Sequence, residues 1–201
     1  GNGAMAGINS EGAGFSFVRS NDFVSSGKNV SCINCSSDGD KVGFSIVDSI
    51  DLQLIGISSV SPSSGLAISG EGTNLQKNGP VLIRGADLNT NSINPAVIMQ
   101  SIDAHLLDVS ISGVSGGLEW SPASSSESSM MNSQITGISG CASFSGFDSM
   151  VIGNVIFNCT TQNPPSFHSS NVSMNDVELI GPSSLNLSSG SVVDWISSSP
   201  I

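Results

Sequence analysis

The chain has 201 residues, 38% hydrophobic and 10% charged, with 5 Lys plus Arg against 16 Asp plus Glu for a formal net charge of −11. Five cations cannot supply the basic footprint of a nucleic-acid binder, Ala/Glu/Lys/Leu heptads of a coiled coil are absent, and no run approaches the ~18 apolar residues of a membrane span. The length suits one sizeable core rather than two full domains.

Taken in chain order, residues 1–13 show no cationic region ahead of an apolar stretch, so no secretory signal is read there. Gly1-Asn2-Gly3-Ala4-Met5 resembles a vector scar, and 1–13 are set aside as scar and lead-in. From Gly14 onward come short β-type runs: GFSFV, NVSCI, VGFSIV, LQLIGIS, PVLIRG, AVIMQ, VSISGV, MVIGNVIFN, DVELIG and SVVDWI. They are rich in Val and Ile and bounded by Gly, Ser, Asn and Pro, as strands are. No window carries a helical stripe.

Cys32 and Cys35 form a C-x-x-C, but Cys141 and Cys159 stand too far apart for the second half of a zinc site. The expectation for all four is small buried thiols in the core. Asn-x-Ser/Thr sequons begin at Asn29, Asn34, Asn158, Asn171 and Asn186, a number that this much serine produces by chance. His105 and His168 lack partners in a catalytic motif. No cofactor or metal site is expected.

A short pattern recurs: Asp or Asn, two variable residues, two mostly apolar residues, then usually Gly. The main copies start at Asp51, Asp103, Asp148 and Asp176, weaker ones at Asn78 and Asn132, and a degenerate one at Asp22. The longest pair sets SIDLQLIGIS (Ser49 to Ser58) against SIDAHLLDVS (Ser101 to Ser110). The anchor spacing clusters near 26 residues, apart from a gap of 16 between Asn132 and Asp148. A unit of this size cannot bury its apolar face alone, so copies must stack. The expected fold is all-β: a parallel β-helix of about seven coils over 14–190, roughly 35 Å long at ~4.8 Å per coil. Residues 191–201 form a final strand or cap, with Trp195 in it. Asp51, Asp103, Asp148 and Asp176 are read as turn-forming residues whose carboxylates accept backbone N–H groups two residues on.

Glu119 and Trp120 follow Gly116-Gly117 and precede a serine-rich run, Ser121 to Ser129. They are the receptor-contact candidates; the alternative for Trp120 is an anchor packed on the coil. Acid pairs such as Asp48/Asp51 or Glu119/Asp148 are the only hint of the two-carboxylate chemistry of glycoside hydrolases. No catalytic residue is assigned. Near-continuous apolar runs, Met150-Val151-Ile152 and Val155-Ile156-Phe157, force some apolar side chains outward under period-2 alternation. An outward apolar stripe needs a partner.

With strands such as MVIGNVIFNCTT and DSIDLQLIGISSVSPSSGLAIS, the chain resembles right-handed parallel β-helix proteins. Within that class it is most similar to the β-helical regions of bacteriophage tail fibres and tailspikes. The resemblance implies a homotrimer on the virion surface that attaches to bacterial surface polysaccharide, here without catalytic activity of its own. The alternatives are a polysaccharide-degrading β-helix domain, with a hydrolase ahead of a lyase, and a bacterial extracellular adhesin passenger. No nucleic-acid partner and no membrane insertion are expected.

Overall fold

The computed structural model describes residues 13–18, 31–38, 42–47, 52–69, 81–123, 128–160, 162–182, 184–188 and 190–196. They form strands joined by turns, with no helix, stacked as a parallel β-solenoid of about six turns. The eight strands of the sheet on one face span roughly 34 Å at ~4.8 Å per rung.

Each coil lays down three faces. Face one holds β2 (Ser31–Ile33), β5 (Gln53–Ile55), β8 (Val81–Arg84) and β11 (Ala104–Leu107). Face two holds β3 (Ser36–Asp38), β6 (Ser58–Ser61), β9 (Asp87–Thr90) and β12 (Ser110–Gly113). In the last coils a single ten-residue strand covers both faces: β14 (Ser128–Gly137), β16 (Met150–Cys159) and β18 (Asn171–Ile180). β20 (Val192–Ile196) closes face one. Face three is an eight-stranded sheet of β1 (Ala13–Val18), β4 (Val42–Val47), β7 (Ser64–Ser69), β10 (Pro95–Gln100), β13 (Gly116–Trp120), β15 (Ala142–Ser145), β17 (Ser166–His168) and β19 (Asn186–Leu187). Every strand pairing is parallel.

One corner sets the period. Asn34, Gly56, Gly85, Asp108, Asn132, Asn154 and Asp176 all have φ between 50° and 62°. The strand register places each directly over the next. The chain turns from face one to face two through a left-handed residue, which Gly adopts freely and Asn or Asp at modest cost. Backbone pairing continues through the corner: Asn34 N–H donates to Ile55 O (2.8 Å), Gly56 N–H to Arg84 O (2.8 Å) and Asp108 N–H to Met131 O (3.1 Å). Side chains add a second ladder, Asn154 Nδ2 to Asn132 Oδ1 (3.0 Å) and Asn132 Nδ2 to Asp108 Oδ1 (3.3 Å). The corner positions are 22, 29, 23, 24, 22 and 22 residues apart. This replaces the spacing near 26 and removes the anomalous gap of 16.

Inside, each position of the coil becomes a column of like residues. On face one, Cys32, Leu54, Ile83, Leu106, Met130, Ile152 and Met174 stack in register and are all buried. On face three the column changes from aliphatic to aromatic: Ile68, Met99, Trp120, Phe144, Phe167. Phe144 is its centre, stacked on Phe167 (centroids 4.9 Å, planes 9° apart) and tilted against Trp120, Phe147 and Phe157. Buried serines are hydrogen-bonded within the coil: Ser64 Oγ donates to Pro95 O (2.9 Å), and the Ser59 and Ser61 hydroxyls pair at 2.7 Å. Ser133 Oγ accepts Val109 N–H (3.1 Å) and donates to Met131 O (2.7 Å), and Ser128 Oγ accepts Ala104 N–H (3.4 Å). No buried side-chain N or O among the described residues lacks a partner.

The cysteine expectation is corrected. Cys32 is bonded to Cys35 and Cys141 to Cys159, with Cα–Cα distances of 6.0 and 5.2 Å inside the disulfide window. Coiling brings Cys141, just before β15, against the end of β16, a contact that 17 intervening residues conceal in the sequence.

Candidate functional site

The outward positions of face three form one register column: Ala67, Ile98, Glu119, Ser143, Ser166 and Asn186. Alternation along β13 decides what faces out. Leu118 and Trp120 point inward and Glu119 points to solvent. Beside this column lies a cavity of about 300 Å³. Glu119, Ser143, Ser166 and Asn186 line its floor, and Gln162, Asn163 and Pro164 from the turn before β17 line its wall. Cys141 also lines it, so the Cys141–Cys159 disulfide ties the groove margin to β16. The result is a shallow groove with one carboxylate and a run of hydroxyl and amide groups, suited to hydrogen-bonding an uncharged polar ligand.

Of the two receptor-contact candidates, Glu119 lies on this groove and Trp120 does not. Trp120 is 1% exposed, a rung of the aromatic column, with Nε1 donating to Ile102 O at 2.8 Å. Its ring meets Phe147 edge-on at 5.2 Å. The indole offers no face to a receptor, and the anchor alternative is what the structure supports. The LEW alternation carried that signal: with Leu118 inward and Glu119 outward, Trp120 must be inward.

The turn-forming aspartates do not share one position. Asp51 and Asp48 lie outside the described residues. Asp103 is buried just ahead of β11, and its Oδ1 accepts the N–H of Ala123, twenty residues on, at 3.2 Å. That is a bond to the loop after β13, not a bond two residues along. Asp148 is exposed in the bend between β15 and β16. Asp176 occupies the left-handed corner. Asp148 is not among the groove residues, and Glu119 is the single acid among the described residues that line it. The serine-rich loop is shorter than 121–129: Ser128 and Ser129 belong to β14, and 124–127 lie outside the described residues.

Sequence reasoning missed one contact. His105 Nδ1 and Ser129 Oγ meet at 2.8 Å on the outer side of face one, adjacent rungs that lie 24 residues apart. On the same face outward apolar side chains are interspersed with polar ones: Ile33, Ile55, Leu107 and Met131 share a column with Arg84, and Leu82 and Val151 share one with Gln53, His105 and Ser129. Ile33 is 59% and Val151 42% exposed. Face two is different, with Ser36, Ser58, Asp87, Ser110 and Gln134 in its outer column.

Among the described residues, no group of three His, Cys, Asp or Glu is placed to hold a metal ion, and no helix is long and apolar enough to cross a membrane. The chain matches no protein-family model, and no curated protein or solved structure matches it significantly.

Proposed function

We propose that this chain is a structural, host-receptor-binding segment of the bacteriophage tail-fibre or tailspike kind, displayed on a virion surface. In this reading three right-handed coils stand side by side as a homotrimer, and the face-three groove contacts bacterial surface polysaccharide. The observation that carries the reading is the outward stripe of Ile33, Ile55, Leu82, Leu107, Met131 and Val151 along face one. These outward aliphatic side chains, interrupted by Arg84 and His105, cost solubility unless another surface covers them. A second copy presents the same stripe at the same ~4.8 Å rung spacing, so parallel copies match rung for rung around a common axis. The acidic, serine-rich remainder suits the solvent-facing side of such a fibre.

The groove supports binding ahead of cleavage. Glycoside hydrolysis by the usual route needs two carboxyl groups flanking the bond, and among the described residues the groove lining supplies Glu119 alone. Its hydroxyl and amide groups suit the hydroxyls of a neutral glycan.

The test is the molar mass in solution by light scattering. The reading predicts three times the chain mass of 20.4 kDa. It also predicts that Leu107→Lys, which sets a charge in the middle of the stripe, gives a monomer with an unchanged β-sheet circular dichroism spectrum. A wild-type monomer overturns it.

A further inference from the structure

The two disulfides sit in opposite environments. Cys141 and Cys159 are 2% and 6% exposed, lie among the inner rungs and close a separation of 18 residues. Cys32 and Cys35 close a separation of only 3 residues, across the Asn34 corner. Their strands, β2 and β3, are the terminal strands of their sheet among the described residues, each paired on one side only, with β5 and β6. Cys32 is 4% exposed, whereas Cys35 is half-buried at the edge of the core, so this bond is less enclosed than the Cys141–Cys159 bond.

We infer that Cys35 is a thiol-exchange site: small thiols open the Cys32–Cys35 bond in the folded protein, while the Cys141–Cys159 bond is closed to them. Exchange requires a thiolate to approach an accessible sulfur in line with the bond it breaks. The attacking thiolate bonds to Cys35 Sγ, the Cys32–Cys35 bond breaks, and Cys32 leaves as a thiolate and takes up a proton. A second thiol equivalent then attacks the mixed disulfide at the small-molecule sulfur. It releases Cys35 as a thiol and leaves the small molecule as its own disulfide. Two thiols are oxidised and one protein disulfide is reduced.

The fold tolerates this opening. Cys32 heads the column of Leu54 and Ile83, and Cys35 precedes Ile57 in its own column, so each thiol remains a small apolar rung. A three-residue closure also constrains the unfolded chain less than the longer one. This coil therefore carries a redox-sensitive clip. The Cys141–Cys159 bond, at the groove margin, opens only when the coils around it separate.

The experiment treats the oxidised chain with dithiothreitol. Samples are alkylated at intervals, each cysteine is read by peptide mass spectrometry, and circular dichroism follows the β-signal. Cys32 and Cys35 are expected to label together, on the order of 100-fold faster than Cys141 and Cys159, because the inner pair waits on local opening. The β-signal stays unchanged during the first phase. The inference is overturned by equal rates, by Cys141 and Cys159 labelling first, by loss of β-signal with the first phase, or by Cys32 and Cys35 alkylating before any reductant is added.

Discussion

Removing the Phe144 ring tests the aromatic column where it is most tightly held. Phe144 is fully buried and touches four other rings: Trp120, Phe147, Phe157 and Phe167. Phe→Ala in a core costs about 3–5 kcal/mol, and the value rises when the surroundings cannot collapse into the cavity. Here the walls are rungs fixed by parallel ladders above and below, so Phe144→Ala is expected at the upper end, about 4–5 kcal/mol. Phe167→Ala supplies the comparison. Its ring contact is the stack on Phe144, and the next rung, Leu187, is 48% exposed, so a cavity there has a less fixed wall on one side. That substitution is expected nearer 3 kcal/mol. Urea unfolding followed by circular dichroism gives both values, read from the shift in midpoint at constant slope. In a solenoid each coil contacts only its neighbours, so amide exchange in Phe144→Ala should rise first in β13, β15, β16 and β17. A Phe144→Ala cost below about 2 kcal/mol, or a Phe167→Ala cost equal to or above it, refutes the idea that Phe144 is the centre of this column.

Three further outcomes follow from the same ladders. Asn154→Val places a β-branched residue at φ 50° and breaks the Asn132 side-chain bond; it should cost about 1–2 kcal/mol in urea unfolding, whereas Asn154→Gly should cost less because glycine accepts the corner freely. Ser133→Ala leaves Val109 N–H and Met131 O without their side-chain partner inside the coil and should lower stability by about 1–3 kcal/mol, with faster amide exchange at Val109. Gly137→Ala drives a Cβ into the carbonyl of Gly140, so the turn before β15 must shift; a spectrum and unfolding midpoint identical to wild type would contradict that close approach.

The strands and their stacking were legible in the sequence because short Val/Ile runs between Gly, Ser and Asn admit few other folds. SIDLQLIGIS and SIDAHLLDVS do lie in register two coils apart, Leu54 and Leu106 flanking Ile83. The coil between them was misplaced. Anchoring it at Asn78 put Val81 in the place of Leu54, whereas Val81 stands over Leu52 and Ile83 over Leu54. The pattern merged two columns: Asp103 precedes a strand, while Asn132 and Asp176 are corners. The residue that recurs for a physical reason is the left-handed one, and Asn, Asp and Gly all satisfy it, so no single letter marks the period. Glu119 stood out in the sequence beside Gly116-Gly117 and the serine-rich run, and alternation along β13 turns it to solvent. The groove walls did not stand out, since Gln162 to Pro164 reach Glu119 only through coiling, and the disulfides and the His105–Ser129 contact were hidden for the same reason.

Stripe, groove and clip all rest on one register, with successive coils stacked directly on one another. Spin labels at Ser58→Cys and Glu178→Cys test it directly. Both positions are exposed on face two and lie five rungs apart through Asp87, Ser110, Gln134 and Ile156. Pulsed electron resonance, with labelled chains diluted in unlabelled ones, should give a single narrow distribution centred at about 24 Å, five times the ~4.8 Å rung spacing. A distribution centred beyond roughly 35 Å, or one spread over several maxima, would mean that these strands do not stack rung on rung at that spacing.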